Sequence, residues 1–234
     1  MMGLIHRWQF NGDANDSMGN LSTVPLGPVA YTDVGNGSGI VMGATTGISL
    51  PPAKDMLFQA SFSISVWASL DARPPSSQMW SSIIFCGDDR PGLDPYALQA
   101  DPNGKIQFLV TGEPNNPSGI DAPFPLHTTV LLTATYDKAS GTQSLYEDGK
   151  LVNQALGIKN LTPVCHLEDH QNAGIGIGTN NGFPNPHLNF NWKGTISDLR
   201  IYNRALSPDE VVELYHLGVT TTKSRINPVI NPLR

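Results

Sequence analysis

Residues 62–70 read FSISVWASL, and their alternation is strict. Phe62, Ile64, Val66, Ala68 and Leu70 fall on one face, while Ser63, Ser65, Trp67 and Ser69 fall on the other. A period of two is that of a strand covering a core on one side. Runs of the same kind recur: SSIIFCG (81–87), KIQFLVTG (105–112), TVLLTATYD (129–137), QSLYEDGKLV (143–152), AGIGIGT (173–179) and GTISDLRIY (194–202). Within QSLYEDGKLV, Asp148-Gly149 favours the positive φ angles of a tight hairpin turn. Charged residues make up only 15% of the chain, with 23 Gly and 19 Pro, a balance that suits many strands joined by turns.

One segment reads as a helix. Ser207 can cap it, Pro208 suits its first turn, and Glu210 completes an S-x-x-E capping box. Val211, Val212, Leu214 and Tyr215 supply an apolar stripe, and Gly218 can end the helix after about three turns. The remainder, VTTTKSRINPVINPLR, has no amphipathic period and nearly repeats INPVINPL. Proline and the residue before it both avoid helix, which predicts an extended arm over 218–234 after a domain at 1–217. Such an arm has no reason to order alone. It is expected to dock on its own domain or a neighbouring chain, with Arg225, Ile226, Pro228, Ile230 and Pro232 as the docking residues.

Charge excludes some functions. A net charge of −6 and a pI near 5.4, with no basic run, argue against a nucleic-acid surface. No stretch approaches the ~20 apolar residues of a membrane helix. The opening MMGLIHRWQF already reads as a strand and lacks the features of a signal peptide, so a virion or an extracellular location reached by another route is expected. Cys86 and Cys165 show no metal-ligand spacing; they are either two buried thiols or a disulfide between distant strands.

Catalytic patterns are lacking. Retaining glycoside hydrolysis needs two carboxyl groups on one side of a strand, and no E-x-D-x-x-E run exists. Glu147-Asp148 belongs to a turn, Asp209-Glu210 begins the helix, and Asp88, Asp89 and Asp94 read as a solvated loop. There is no G-x-S-x-G or H-E-x-x-H. His166 and His170 have helical i,i+4 spacing but no helix pattern around them.

The stretch NGDANDSMGN (11–20) is unusually rich in side-chain oxygen. It suits a hard cation, a surface loop or a polar structural corner. An EF-hand is ruled out: Asp13, Asn15 and Ser17 have its spacing, but Met18 replaces the required glycine and Val24 the closing glutamate.

Four pieces in order, HRWQFNGDANDSMGN, FSISVWASL, TATYDKASGTQSLYEDGKLV and GTISDLRIYNRALSPDEVVELY, resemble the LamG-like branch of the concanavalin A-like jelly-roll domains found in bacterial and phage proteins. The resemblance spans residues 3 to about 217. It implies an all-β fold, a two-sheet antiparallel jelly-roll sandwich with one short C-terminal helix and an extended C-terminal arm. It also implies that NGDANDSMGN lies beside the strand carrying Asp198, where family members often bind a structural calcium ion. Asp16, Asn20 and Asp198, with Asp13 nearby, would then be the ligands. Asp198 alternates with Leu199 and Ile201 and so faces away from the side they bury. The competing reading is a polar loop in which Asp16 and Asn20 cap backbone N–H groups.

Two function classes remain. Glycan recognition uses exposed aromatics beside hydrogen-bonding side chains, and Trp80, Tyr96, Phe183, His187 and Trp192 are candidates, each with packing as its alternative. A structural role makes the domain a component of a larger assembly, a phage virion surface above all, attached through the arm to other protein chains. The expectation is a non-catalytic module of this second kind with a glycan as an additional ligand. A free or secreted carbohydrate-binding module is the alternative, and a glycan-active hydrolase or lyase ranks behind both.

Overall fold

A computed structural model of the chain describes residues 2–35, 37–51, 53–87, 94–112, 116–158, 160–161, 174–180 and 190–226. The first strands are β1 (Leu4–Trp8), β2 (Val24–Leu26), β3 (Ala30–Asp33), β4 (Ser38–Met42) and β5 (Gly47–Leu50). They are followed by β6 (Phe62–Leu70), β7 (Ser81–Gly87), β8 (Tyr96–Ala100), β9 (Lys105–Gly112) and β10 (Asn116–Pro123). The last are β11 (Val130–Asp137), β12 (Thr142–Glu147), β13 (Lys150–Ala155), β14 (Gly174–Ile177) and β15 (Gly194–Tyr202), before helix α1 (Pro208–Ile226).

Two antiparallel sheets form the expected sandwich. One runs β13-β12-β11-β6-β15-β4-β3, with β1 added beside β15; the other runs β10-β9-β8-β7-β14-β5-β2. Between them, Phe62 stacks on Phe58 at 4.3 Å between ring centroids, with Tyr96, Phe108 and Tyr136 around it within about 6 Å. Such aromatic pairing adds to the burial of apolar area that drives the two sheets together.

Strand β6 keeps its alternation but is covered on both faces. Its apolar set faces the core, and Ser63, Ser65 and Ser69 are buried on the other side. Their hydroxyls are used there. Ser63 Oγ accepts from the Leu206 amide and donates to the Arg204 carbonyl, and Ser69 pairs with Thr195 at 2.9 Å. The Asp148-Gly149 turn has the expected positive φ angles, 49° and 81°. Asp148 Oδ1 also accepts from the Leu131 amide, tying the hairpin to β11.

The capping box forms as expected. Ser207 Oγ accepts from the Glu210 amide, and the Glu210 carboxylate accepts from the Ser207 amide. Arg204 adds a two-pronged ion pair to the same carboxylate. Val211 and Leu214 bury against Leu131, Tyr146, Tyr202 and Leu206 on the outer face of the first sheet.

The helix is longer than predicted. It runs through Gly218 to Ile226, so the extended arm does not begin at 218. A side chain at 218 would collide with the Trp67 indole. Glycine therefore serves close packing there, rather than a left-handed helix end. Arg225 and Ile226 close the helix, and Pro228, Ile230 and Pro232 lie outside the described residues.

Arg204, then the Ser207 amide, holds the Glu210 carboxyl down at about 2. A depressed folded-state pKa stabilises the fold above the unfolded value of about 4.3 and loses that contribution as pH falls towards the folded value. The side chain is partly exposed, so the effect is on the order of 1 kcal/mol. Glu210→Gln is expected to flatten the stability profile between about pH 5 and 2 relative to the native sequence, as read by denaturant midpoints at each pH.

Candidate functional site

Strand β15 carries two neighbours along one edge. Its residues 194–196 pair with Met42, Val41 and Ile40 of β4, and its residues 199–202 pair with β1. The two strands meet end to end beside Ser197 and Asp198. There the pairing of β15 with β6 slips between Ser197 and Arg200, and Asp198 takes a φ of 46°. Ile196 and Leu199 both enter the core, which turns two successive residues outward between them.

A non-glycine residue in the left-handed region costs about 1–2 kcal/mol and needs local compensation. Two arginines provide it. Arg7 Nε donates to Asp198 Oδ1 at 2.6 Å, and Arg200 Nη2 donates to Asp198 Oδ2 at 2.5 Å. Register puts Arg7 of β1 directly opposite Arg200 of β15, so both guanidinium groups reach the bulge. Burial pushes the Asp198 carboxyl up, but the hydrogen bonds and charges of Arg200 and Arg7 outweigh it and leave it below the usual range.

The loop at 11–20 serves a different purpose. The backbone of β1 pairs with β15 on one side only, and the loop satisfies its other side. Asp16 Oδ1 accepts from the amides of Arg7 and Met18, each at 3.0 Å. Asp16 Oδ2 takes His6 Nδ1 at 2.8 Å and the Asn20 amide at 3.3 Å. Ser17 donates to the Arg7 carbonyl through both its amide and its hydroxyl, and Asn20 Nδ2 donates to the Ile5 carbonyl. Asp13 accepts from the Asn15 amide in a local Asx turn. The oxygen density of this stretch is thus a substitute for a missing strand, because backbone groups at a sheet edge need partners.

These donors do not fit calcium. Asp16 and Asp198 use both carboxylate oxygens on N–H groups, Asp13 uses one, and Asn20 turns its amide nitrogen to the backbone. A cation beside Asp198 would face two guanidinium groups. No group of three or more His, Cys, Asp or Glu side chains gathers for a metal among the described residues. Asp16 caps the amides of Arg7, Met18 and Asn20 and also takes the His6 side chain.

The aromatic candidates separate. Tyr96 and Trp192 are core residues, at 1% and 0% exposure, so neither can stack on a sugar. Trp192 donates its indole N–H to the Ser69 carbonyl and packs edge-on against Phe124. Trp80 is half-buried beside exposed Met79. Phe183 and His187 lie outside the described residues, as does Cys165. Cys86 is a buried free thiol.

A cleft of about 320 Å³ opens where β1 and β4 meet. Arg7, Gln9 and Asn11 form one side, Gly37 and Ser38 the other, and Ser197, Asp198 and Arg200 the floor. Trp67, Leu217 and Gly218 close the end below α1. The Trp67 ring is stacked on Tyr215, with 6.1 Å between ring centroids. Of these residues, sequence reasoning singled out only Asp198 as a site residue. Alternation places Arg7 between inward-facing His6 and Trp8, and Arg200 between Leu199 and Ile201, so their outward direction was readable. Their meeting was not, because it joins residues at opposite ends of the domain.

Asp198→Ala is expected to lower the melting temperature by the same amount in calcium and in chelator, since the residue holds two arginines. Differential scanning fluorimetry in both buffers checks this. A loss seen only in calcium would restore the metal reading.

No curated protein matches the chain by sequence. Solved structures do match by fold. The receptor-binding domain of botulinum neurotoxin C/D mosaic serotype aligns with a TM-score of 0.69 at 14% identity, over 92% of this chain and 51% of that one. The binding domain of Paraclostridial Mosquitocidal Protein 1 aligns at 0.70 and 14%, over 91% and 52%. The binding domain of botulinum neurotoxin DC, solved with rat synaptotagmin II, aligns at 0.67 and 16%, over 92% and 52%. This chain thus spans about half the length of each. A laminin G family model matches residues 42–212. With two antiparallel sheets and the C-terminal helix in the expected order, this chain belongs to the concanavalin A-like lectin/glucanases superfamily.

Proposed function

We propose that the chain is a non-catalytic recognition module that holds its ligand, a glycan, in the cleft between β1 and β4. The observation that carries this reading is the cleft itself. Its volume of about 320 Å³ lies at the lower end of the ~300–1,000 Å³ typical of small-ligand sites. It combines an aromatic wall with amide, hydroxyl and guanidinium donors, the mixture that hydroxyl-rich ligands require.

Hydrolysis finds no support in the same geometry. Asp198 is the sole acid in the described lining, and two arginines favour its ionised form, so the cleft offers no protonated acid and no second carboxylate. Glu147, whose carboxyl is raised by burial and by neighbouring Asp148, lies at the β12–β13 turn and not in the cleft lining. The fold relatives are binding domains of toxins, which agrees with recognition as the task.

The proposal extends to attachment on a larger assembly, a phage particle surface in its narrowest form, through the segment that contains Arg225, Ile226, Pro228, Ile230 and Pro232. Its support is the repeated Ile-Asn-Pro of the last residues, which favours extended backbone of the kind that docks in grooves or along strands.

A glycan array is expected to return at least one class of ligand for the native protein. Ser38→Trp, which fills the cleft, is expected to abolish that binding with the melting temperature unchanged. Binding retained by the filled variant puts the ligand elsewhere. Deleting residues 227–234 is expected to leave glycan binding intact while removing incorporation into the assembly.

A further inference from the structure

The cleft differs in sign from the net charge of the chain. The chain as a whole is acidic, at −6. The cleft brings together Arg7, Arg200 and Asp198, and with no other ionisable side chain in its described lining it is locally positive.

Of the two arginines, Arg7 is not used up. Asp198 takes Nε of Arg7 and one Nη of Arg200, and the Tyr202 hydroxyl also bonds Arg200. No described residue accepts from the terminal nitrogens of Arg7, whose side chain is 30% exposed. Arg204 makes the contrast, since both of its terminal nitrogens close on Glu210. Arg7 is therefore held by one edge, oriented and partly desolvated, with its terminal N–H pair left for an incoming group. A planar anion with two oxygens matches that pair, because guanidinium and carboxylate meet through two parallel hydrogen bonds.

Resting on the reading of the cleft as a glycan site, we infer that the sugar it selects carries a carboxylate, as a uronic acid does, and that Arg7 receives it. The acid group lies against Arg7, the ring lies towards Trp67, and Gln9, Asn11 and Ser38 take hydroxyls. An acidic peptide suits the site less well. Peptides gain affinity by pairing along an open strand edge, and the free edge of β1 is already occupied by Asp16, Ser17 and Asn20.

The test is calorimetric titration of the whole chain with three probes. They are a glucuronate-containing tetrasaccharide, the same tetrasaccharide with the carboxyl reduced to a hydroxymethyl group, and a glutamate-rich peptide. The acidic sugar is expected to bind roughly ten- to a hundredfold more tightly than its reduced form, the range for a hydrogen-bonded charge. Arg7→Gln is expected to remove the preference, with circular dichroism confirming the fold.

Equal binding of both sugars overturns the carboxylate inference and leaves the recognition module standing. Failure of both sugars alongside array hits of another kind does the same. Peptide binding as tight as that of the acidic sugar overturns it in favour of a protein ligand. A silent array together with three silent probes removes the recognition reading as well.

Discussion

Strand β15 has to serve three neighbours with two edges. One edge belongs to β6 on either side of a slip between Ser197 and Arg200, and the other is divided between β4 and β1. A divided edge needs a joint, because the two strands meet end to end and the chain must change partner without exposing its core face. The bulge at Ser197 and Asp198 is that joint. It keeps Ile196 and Leu199 both inward while two residues turn out, and the ion pairs from Arg7 and Arg200 offset the strain at Asp198. The cleft is the space left on the outer side of the joint.

The same division explains the loop that follows β1. A strand added beside half of a neighbour has an open far edge, and its amides and carbonyls must go somewhere. Asp16, Ser17 and Asn20 supply the partners in compact form, while His6 anchors the Asp16 carboxylate from the buried side. Because Asp16 grips the Arg7 amide while Asp198 grips the Arg7 side chain, loop and joint position one residue together. Arg7 is thus fixed from both ends.

Helix α1 finishes the arrangement. Its buried stripe lies on the outer face of the first sheet, and its later turn closes over Trp67. The serines of β6, which alternation would have left to water, are instead covered: Ser63 bonds to the segment leading into the helix, and Ser65 and Ser69 bond to Thr133 and Thr195 of the neighbouring strands. Covering this face leaves the cleft as a bounded recess rather than part of an open sheet.

Local physics made much of this legible from the residues alone. Alternation located β6, β7, β9, β11 and β15, Asp148-Gly149 fixed a hairpin, and Ser207 with Glu210 fixed the start of the helix, because each depends on neighbours a few positions apart. The same locality misled at Gly218, where a packing glycine has the look of a stop signal, and at Tyr96 and Trp192, whose aromatic character says nothing of depth. It also left two uses of Asp16 equally open, since a carboxylate that caps amides and one that binds calcium have the same sequence. Composition and periodicity therefore determined many strands joined by turns and a capped helix, and the family resemblance implied the two-sheet antiparallel sandwich. Only the tertiary structure decided that β1 would lie against β15, that Arg7 would meet Asp198, and that a positively charged cleft would result, because those contacts join residues nearly two hundred positions apart and depend on register that no local signal encodes.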